Sequence, residues 1–129
     1  MPDTNSSGSG GTRIALPWPD KLLSPNARLH WAVKAKRVKV ARNYAWGATL
    51  EVFGASPAFA PGGVNITTTF CPPDRRRRDL DNLIASMKAS NDGIADALGV
   101  DDSRFISTYS MGQPVKGGAV FVTIRGTAA

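Results

Sequence analysis

Asp74-Arg75-Arg76-Arg77-Arg78-Asp79-Leu80-Asp81-Asn82 separates two runs of different periodicity, and its reading decides how they are joined. Before it, Val64 to Phe70 is rich in β-branched residues, the composition of a strand. After it, Leu80, Leu83, Ile84, Met87, Ile94, Ala95 and Leu98 fall on one side of a helix at about 100° per residue, and Gly99 is placed to stop it. The block is therefore a strand-to-helix connection, and the spacing predicts a helix from Asp81 to Leu98. On the same wheel Asp81, Lys88 and Asp92 lie within about 40° of one another, a polar stripe along one edge.

Outward from this block the pattern is regular. Ile14, Leu16 and Trp18 alternate with Arg13, Ala15 and Pro17, a short strand ended by prolines, and Ser24-Pro25-Asn26 reads as a turn. Leu29 to Val52 has no internal proline and carries Lys34, Lys36, Arg37, Lys39 and Arg42, which predicts a long basic helix. Gly54 to Gly63 is a Pro/Gly loop. Phe105 to Met111 and Ala119 to Arg125 are β runs that read as a closing hairpin through Gln113 to Gly118. The predicted order is β-α-β-α-β-β, an α+β fold with helices packed on a mixed sheet. Residues 13–126 form one domain in this reading, between a flexible tail at 1–12 and a short one at 127–129.

With 129 residues the chain suits a single domain. Its net charge of +6 favours an acidic partner, of which nucleic acid is the commonest for a basic domain. Basic excess is confined to the first half, while the second half carries nearly balanced charge. The lone cysteine, Cys71, excludes an intrachain disulfide and a thiolate metal cluster, and reads as a small buried residue at a strand end. No stretch approaches the length of a membrane span, and the polar opening lacks a leader pattern, so the expected location is cytoplasmic.

Two carboxylates directly behind four guanidiniums suggest metal beside phosphate. Carboxylate oxygens suit Mg²⁺, which completes its shell with water and substrate phosphates, and arginines dock a phosphodiester backbone. A second acidic pair, Asp101-Asp102, follows about twenty residues later, where acidic clusters would repel a polyanion unless a cation sat among them. The plainer reading is that Asp79 or Asp81 caps the following helix and the arginines are a solvated run. A basic DNA-binding or regulatory protein without catalysis is the rival at this level. No acidic residue is followed two places later by lysine, which removes a Glu-x-Lys nuclease site, and the single histidine, His30, gives little support to a histidine base.

Leu16-Pro17-Trp18-Pro19, Ser24-Pro25-Asn26, the Pro73 to Asn82 block and Asp101-Asp102-Ser103, in this order, closely resemble the RusA family of Holliday junction resolvases over about Ile14 to Arg125. The resemblance implies a homodimeric, Mg²⁺-dependent endodeoxyribonuclease of bacteria or their phages that nicks four-way DNA junctions symmetrically. It also implies that Asp79, Asp81 and Asp102 are the metal-binding catalytic aspartates. Arg75, Arg76, Arg77 and Arg78 would hold the DNA backbone, and Lys34, Lys36, Arg37, Lys39 and Arg42 would extend the phosphate track. An unbroken helix from Asp81 to Leu98 separates its ends by about 25 Å. Asp102 then reaches Asp81 only if Asn91-Asp92-Gly93 breaks the helix or a second subunit supplies the missing group.

The chain departs from the family pattern at one position. The family's namesake has a catalytic lysine four residues after the second aspartate of the motif, and Ala85 stands there in this chain. Lys88 follows three residues later, with Asp92 four beyond it, which repeats the family's Lys-to-Asp interval. Three extra residues turn the side chain by about 300° and raise it about 4.5 Å. Lys88 is thus predicted to serve as the displaced catalytic lysine.

Overall fold

The computed structural model describes residues 11–24, 31–54 and 62–126. Strands β1 (Thr12–Pro17), β2 (Val64–Cys71), β3 (Phe105–Met111) and β4 (Ala119–Gly126) form one mixed sheet in the order β1-β4-β2-β3. β2 and β3 run parallel, and the other neighbours are antiparallel. Alternate residues Ile14, Leu16, Val64, Ile66, Phe70, Val120, Val122 and Ile124 point into one core with Ala45 of helix α1 (Trp31–Phe53) and with Ile94 and Leu98 of a later helix. The other face of the sheet keeps Arg13, Ala15 and Thr67 exposed. This is the expected α+β class, two layers built on the period-2 alternation of the strands. Cys71 is the buried last residue of β2, as predicted.

The predicted helix from Asp81 to Leu98 is two helices, α2 (Leu80–Ser86) and α3 (Lys88–Leu98), so the element order is β-α-β-α-α-β-β. The break falls at Met87 and not at Asn91-Asp92-Gly93, all of which are helical. Ser86 Oγ donates to the Leu83 carbonyl at 2.6 Å, and the Met87 N–H bonds Ile84 O three residues back, which tightens the last turn and bends the axis. The bend turns Met87 itself into the core at 2% exposure, whereas Leu80, Leu83 and Ile84 pack at its edge. Gly99, at φ 69°, closes α3, and the Val100 N–H reaches back to Ala95 O at 3.1 Å.

Gly93 is used for close approach. An added Cβ there would lie 2.2 Å from Arg42 O and 3.1 Å from Trp46 N, so α3 crosses α1 backbone to backbone. Ala89, Gly93 and Ala97 lie on that side of α3, opposite Ala45 and Thr49 of α1. Past this crossing the first half of α1 projects from the core, with Trp31, Val33, Val38 and Val40 exposed.

The predicted β3–β4 hairpin is also corrected. β4 lies between β1 and β2, on the side of β2 away from β3. Burial explains the choice: Val120 and Val122 are fully buried and Ile124 nearly so, and a strand of this kind gains from neighbours on both sides. β3 buries no residue completely and takes the edge. The connection crosses the end of β2, where the Gly112 N–H bonds Phe70 O at 2.8 Å and the Val115 N–H bonds Pro72 O at 2.9 Å. The strand assigned from Arg13 begins one residue earlier, at Thr12, which the tail was predicted to include. Pro25, Asn26, His30, most of the Gly54–Gly63 loop and both tails apart from Gly11 and Thr12 lie outside the described residues.

Candidate active site

The two acidic pairs are built alike. Asp79 is the N-cap of α2: its backbone is extended, and Oδ1 accepts from the Asp81 N–H at 2.9 Å. Asp101 caps the 3₁₀ turn Asp102–Arg104 and accepts from the Ser103 N–H at 2.8 Å. That backbone hydrogen bond, joined by one from the Ser103 hydroxyl, lowers the Asp101 pKa. In each pair the first aspartate holds the turn, and the second, Asp81 or Asp102, is exposed.

The four arginines divide. Arg75, Arg76 and Arg77 are exposed, whereas the Arg78 side chain keeps only 15% of its accessible surface. Arg78 Nη1 contacts Asp74 Oδ1 at 2.9 Å and donates to Arg76 O at 2.9 Å and Asp74 O at 3.2 Å, while its guanidinium lies 5.5 Å from the Trp18 ring centroid. Asp74 also accepts from the Arg76 N–H at 2.9 Å. The Arg78 hydrogen bond first, and then that of the Arg76 N–H, hold the Asp74 pKa down to about 2. Arg78 thus ties the loop that presents Asp79; Arg76, though exposed, also reaches Asp74 with Nε at 3.4 Å, and Arg75 and Arg77 are exposed.

On α1, Arg42 pairs with Asp96 of α3, donating from Nε at 3.2 Å, and that contact raises its pKa. Arg37 lies 3.7 Å from Asp20, and Lys34 Nζ lies 3.4 Å from Ser24 O. Lys36 and Lys39 are exposed and make no ion pair with a described residue.

Lys88 opens α3 beside the bend. Its Nζ is 3.4 Å from Asp92 Oδ1 and 4.0 Å from Asp102 Oδ2, and these three residues line a small open pocket with Asn91, Phe105 and Ser107. Asn91 and Tyr109, which stacks on Phe70, meet at 3.5 Å behind it. The structure therefore brings Lys88 to Asp102. It does not bring Asp79 and Asp81 there. Asp79 and Asp81 stand at the start of α2, whereas Lys88, which meets Asp102, follows its end, so the length of α2, about 10 Å, lies between them. The hard oxygen donors suit Mg²⁺, but among the described residues no three acidic, histidine or cysteine side chains converge to hold an ion. One chain alone does not fit a three-aspartate metal centre.

The chain is 37% identical over 119 residues to the crossover junction endodeoxyribonuclease rusA of Enterobacteria phage 82, covering 86% of this chain and 91% of that protein. The chain belongs to the RusA family. An uncharacterized protein of Xylella fastidiosa strain Temecula1 is 45% identical over 116 residues, covering 88% of this chain and 75% of its own length. No protein-family model matches the chain. Among the described residues no helix is long and apolar enough to cross a membrane.

Reasoning from sequence alone did not assign two features of this RusA-family chain. The role of Arg78 was hidden because four consecutive arginines look equivalent until Asp74 is placed beneath one of them. The spacing of Asp74 and Arg78, four residues apart, carried no signal, because the stretch between them is not helical. Trp18 and Tyr44, read only as strand end and helix residue, meet across an apolar pocket between β1 and α1.

Proposed function

We propose that this protein is an Mg²⁺-dependent, homodimeric endodeoxyribonuclease that resolves four-way DNA junctions by paired symmetric nicks. The observation that carries the reading is the exposed Asp81 behind an outward-facing arginine run, in a chain that aligns over nearly all of the phage 82 nuclease. Aspartates on a DNA-facing surface cost affinity through repulsion, and a purely binding protein has no use for them.

Because one chain keeps Asp102 apart from Asp79 and Asp81, each site is completed across the dimer, with Asp79 and Asp81 from one subunit and Asp102 from the other. Lys88 accompanies Asp102 in this arrangement. Its side chain is 77% exposed, and the ammonium, lightly held by Asp92, is free to move toward a scissile phosphate and stabilise the charge that develops there. Arg75, Arg76 and Arg77 grip the backbone next to Asp79, and Lys36 and Lys39 lengthen the track along α1.

A synthetic four-way junction incubated with the protein in Mg²⁺ should yield symmetric nicks with ligatable ends, and EDTA should abolish them. Tight junction binding with no nicking in Mg²⁺ would favour the non-catalytic DNA-binding reading instead.

A further inference from the structure

A mostly apolar pocket of about 230 Å³ opens between the end of β1, the first half of α1 and the bend at Met87. Trp18 forms one wall, and Tyr44, Val40 and Ala41 of α1 form the other. Trp18 is fixed in place: its ring meets Phe70 edge-on at 6.3 Å and carries the Arg78 guanidinium, so this wall is rigid before any ligand arrives. Tyr44 is 52% exposed and available as a stacking surface. Hydrogen-bonding groups stand at the margins, the Asp20–Arg37 pair at one side and the Ser86 and Ser90 hydroxyls at the other.

Two features say what the pocket takes. It adjoins a second depression that contains Arg78, Asp79 and Asn82, and Trp18, Pro19, Asp20 and Ser86 line both. An occupant would therefore sit next to the depression that holds Asp79 and Asn82. Positive charge stands beside the pocket: Arg37 borders it, paired with Asp20, and Lys34 and Lys36 lie to either side of that face at about 70–90° around α1. An aromatic, apolar slot with polar edges and lysines flanking it matches a nucleotide whose base leaves the stack while its phosphates stay outside.

We infer that the Trp18–Tyr44 pocket receives one unstacked nucleobase from the junction, and so positions the strand next to Asp79. The inference rests on the resolvase reading above and adds to it a base-binding site. Stacking on one aromatic ring contributes about 5- to 150-fold in affinity.

The test is a cycle between the protein and the DNA, read as junction affinity by fluorescence anisotropy in EDTA. The full chain, Tyr44→Ala and Tyr44→Phe are each titrated with an intact four-way junction and with a set in which single nucleotides around the crossover are abasic. Tyr44→Ala should bind the intact junction at least fivefold more weakly, and Tyr44→Phe should bind like the wild type. At one abasic position the wild type should fall to the level of Tyr44→Ala, and the two should then be equal. An equal loss for Tyr44→Ala on every abasic junction, or no loss on the intact one, would overturn the base pocket. Normal Mg²⁺-dependent nicking by the wild type in the same preparation would leave the resolvase reading standing. If the wild type neither binds nor nicks the intact junction, both fail. Tyr44 is half-exposed and outside the core cluster, so the variant keeps the packing that a Trp18 substitution would disturb.

Discussion

Replacing Gly93 with alanine puts one carbon atom into the α1–α3 crossing. The new Cβ would stand 2.2 Å from Arg42 O, where ordinary contact begins at 3.4 Å, and the atoms it meets are backbone that no rotamer change can move. The helices must part by about 1 Å, which forfeits a quarter to a half of the dispersion well at each contact along the seam. Overpacking of this kind costs about 1–3 kcal/mol or more, against about 1 kcal/mol gained from alanine's better helix propensity. The net expectation is a destabilisation of up to about 2 kcal/mol, a fall in Tm of up to about 10 °C for a domain of this size. Gly47→Ala is the matched control: it lies within α1 with nothing within 4 Å of its added Cβ, so it should raise Tm by a few degrees. Thermal and urea unfolding followed by circular dichroism measure both. A Gly93→Ala protein as stable as Gly47→Ala would refute the backbone crossing and, with it, the placement of the helix that carries Lys88 and Asp92.

Three further outcomes follow from the site. Lys88→Ala should slow single-turnover nicking by about 10²–10³ while junction affinity changes little, and near wild-type cleavage at saturating Mg²⁺ would remove Lys88 from the chemistry. Arg75→Ala and Arg77→Ala should each flatten the salt dependence of binding by about one unit of log-log slope, whereas Arg78→Ala should disturb the loop and nicking with less effect on slope. The Asp74 pKa is depressed to about 2, so the order it gives the arginine loop is fully present above the ordinary carboxylate value and is lost as pH falls through the folded value. An acid titration of tryptophan fluorescence, which senses Arg78 on Trp18, should show a transition between about pH 4 and pH 2 that Asp74→Asn abolishes.

The periodic parts of the chain were legible in its sequence. Strand alternation gave β1, β-branched composition gave β2, and the apolar stripe at about 100° per residue with Gly99 as its stop placed the helical segment from Asp81 to Leu98, though as one helix. Two features were not legible because they depend on partners far along the chain. The β3 and β4 runs look like a hairpin locally, but the buried face of β4 is satisfied only between β1 and β2, and a local pattern cannot rank those neighbours. The bend at Met87 came from a Ser86 hydroxyl competing for a helix carbonyl, and a break at Asn91-Asp92-Gly93, one of two ways for Asp102 to reach Asp81, does not occur: those residues stay helical, with Gly93 serving the crossing with α1. At the site, residue types suggested metal-dependent chemistry beside phosphate. How far apart the carboxylates stand is set by where α2 and α3 pack, which residue types do not reveal.

That geometry makes the shared site the central claim, and mixed dimers test it directly. Asp81→Asn and Asp102→Asn subunits, each inactive alone, are mixed under conditions that exchange subunits and assayed on a four-way junction in Mg²⁺. Sites completed across the dimer predict that the heterodimer regains one intact site and nicks a single strand. A heterodimer as inactive as either parent, with junction binding retained, would contradict the account and place each site within one chain.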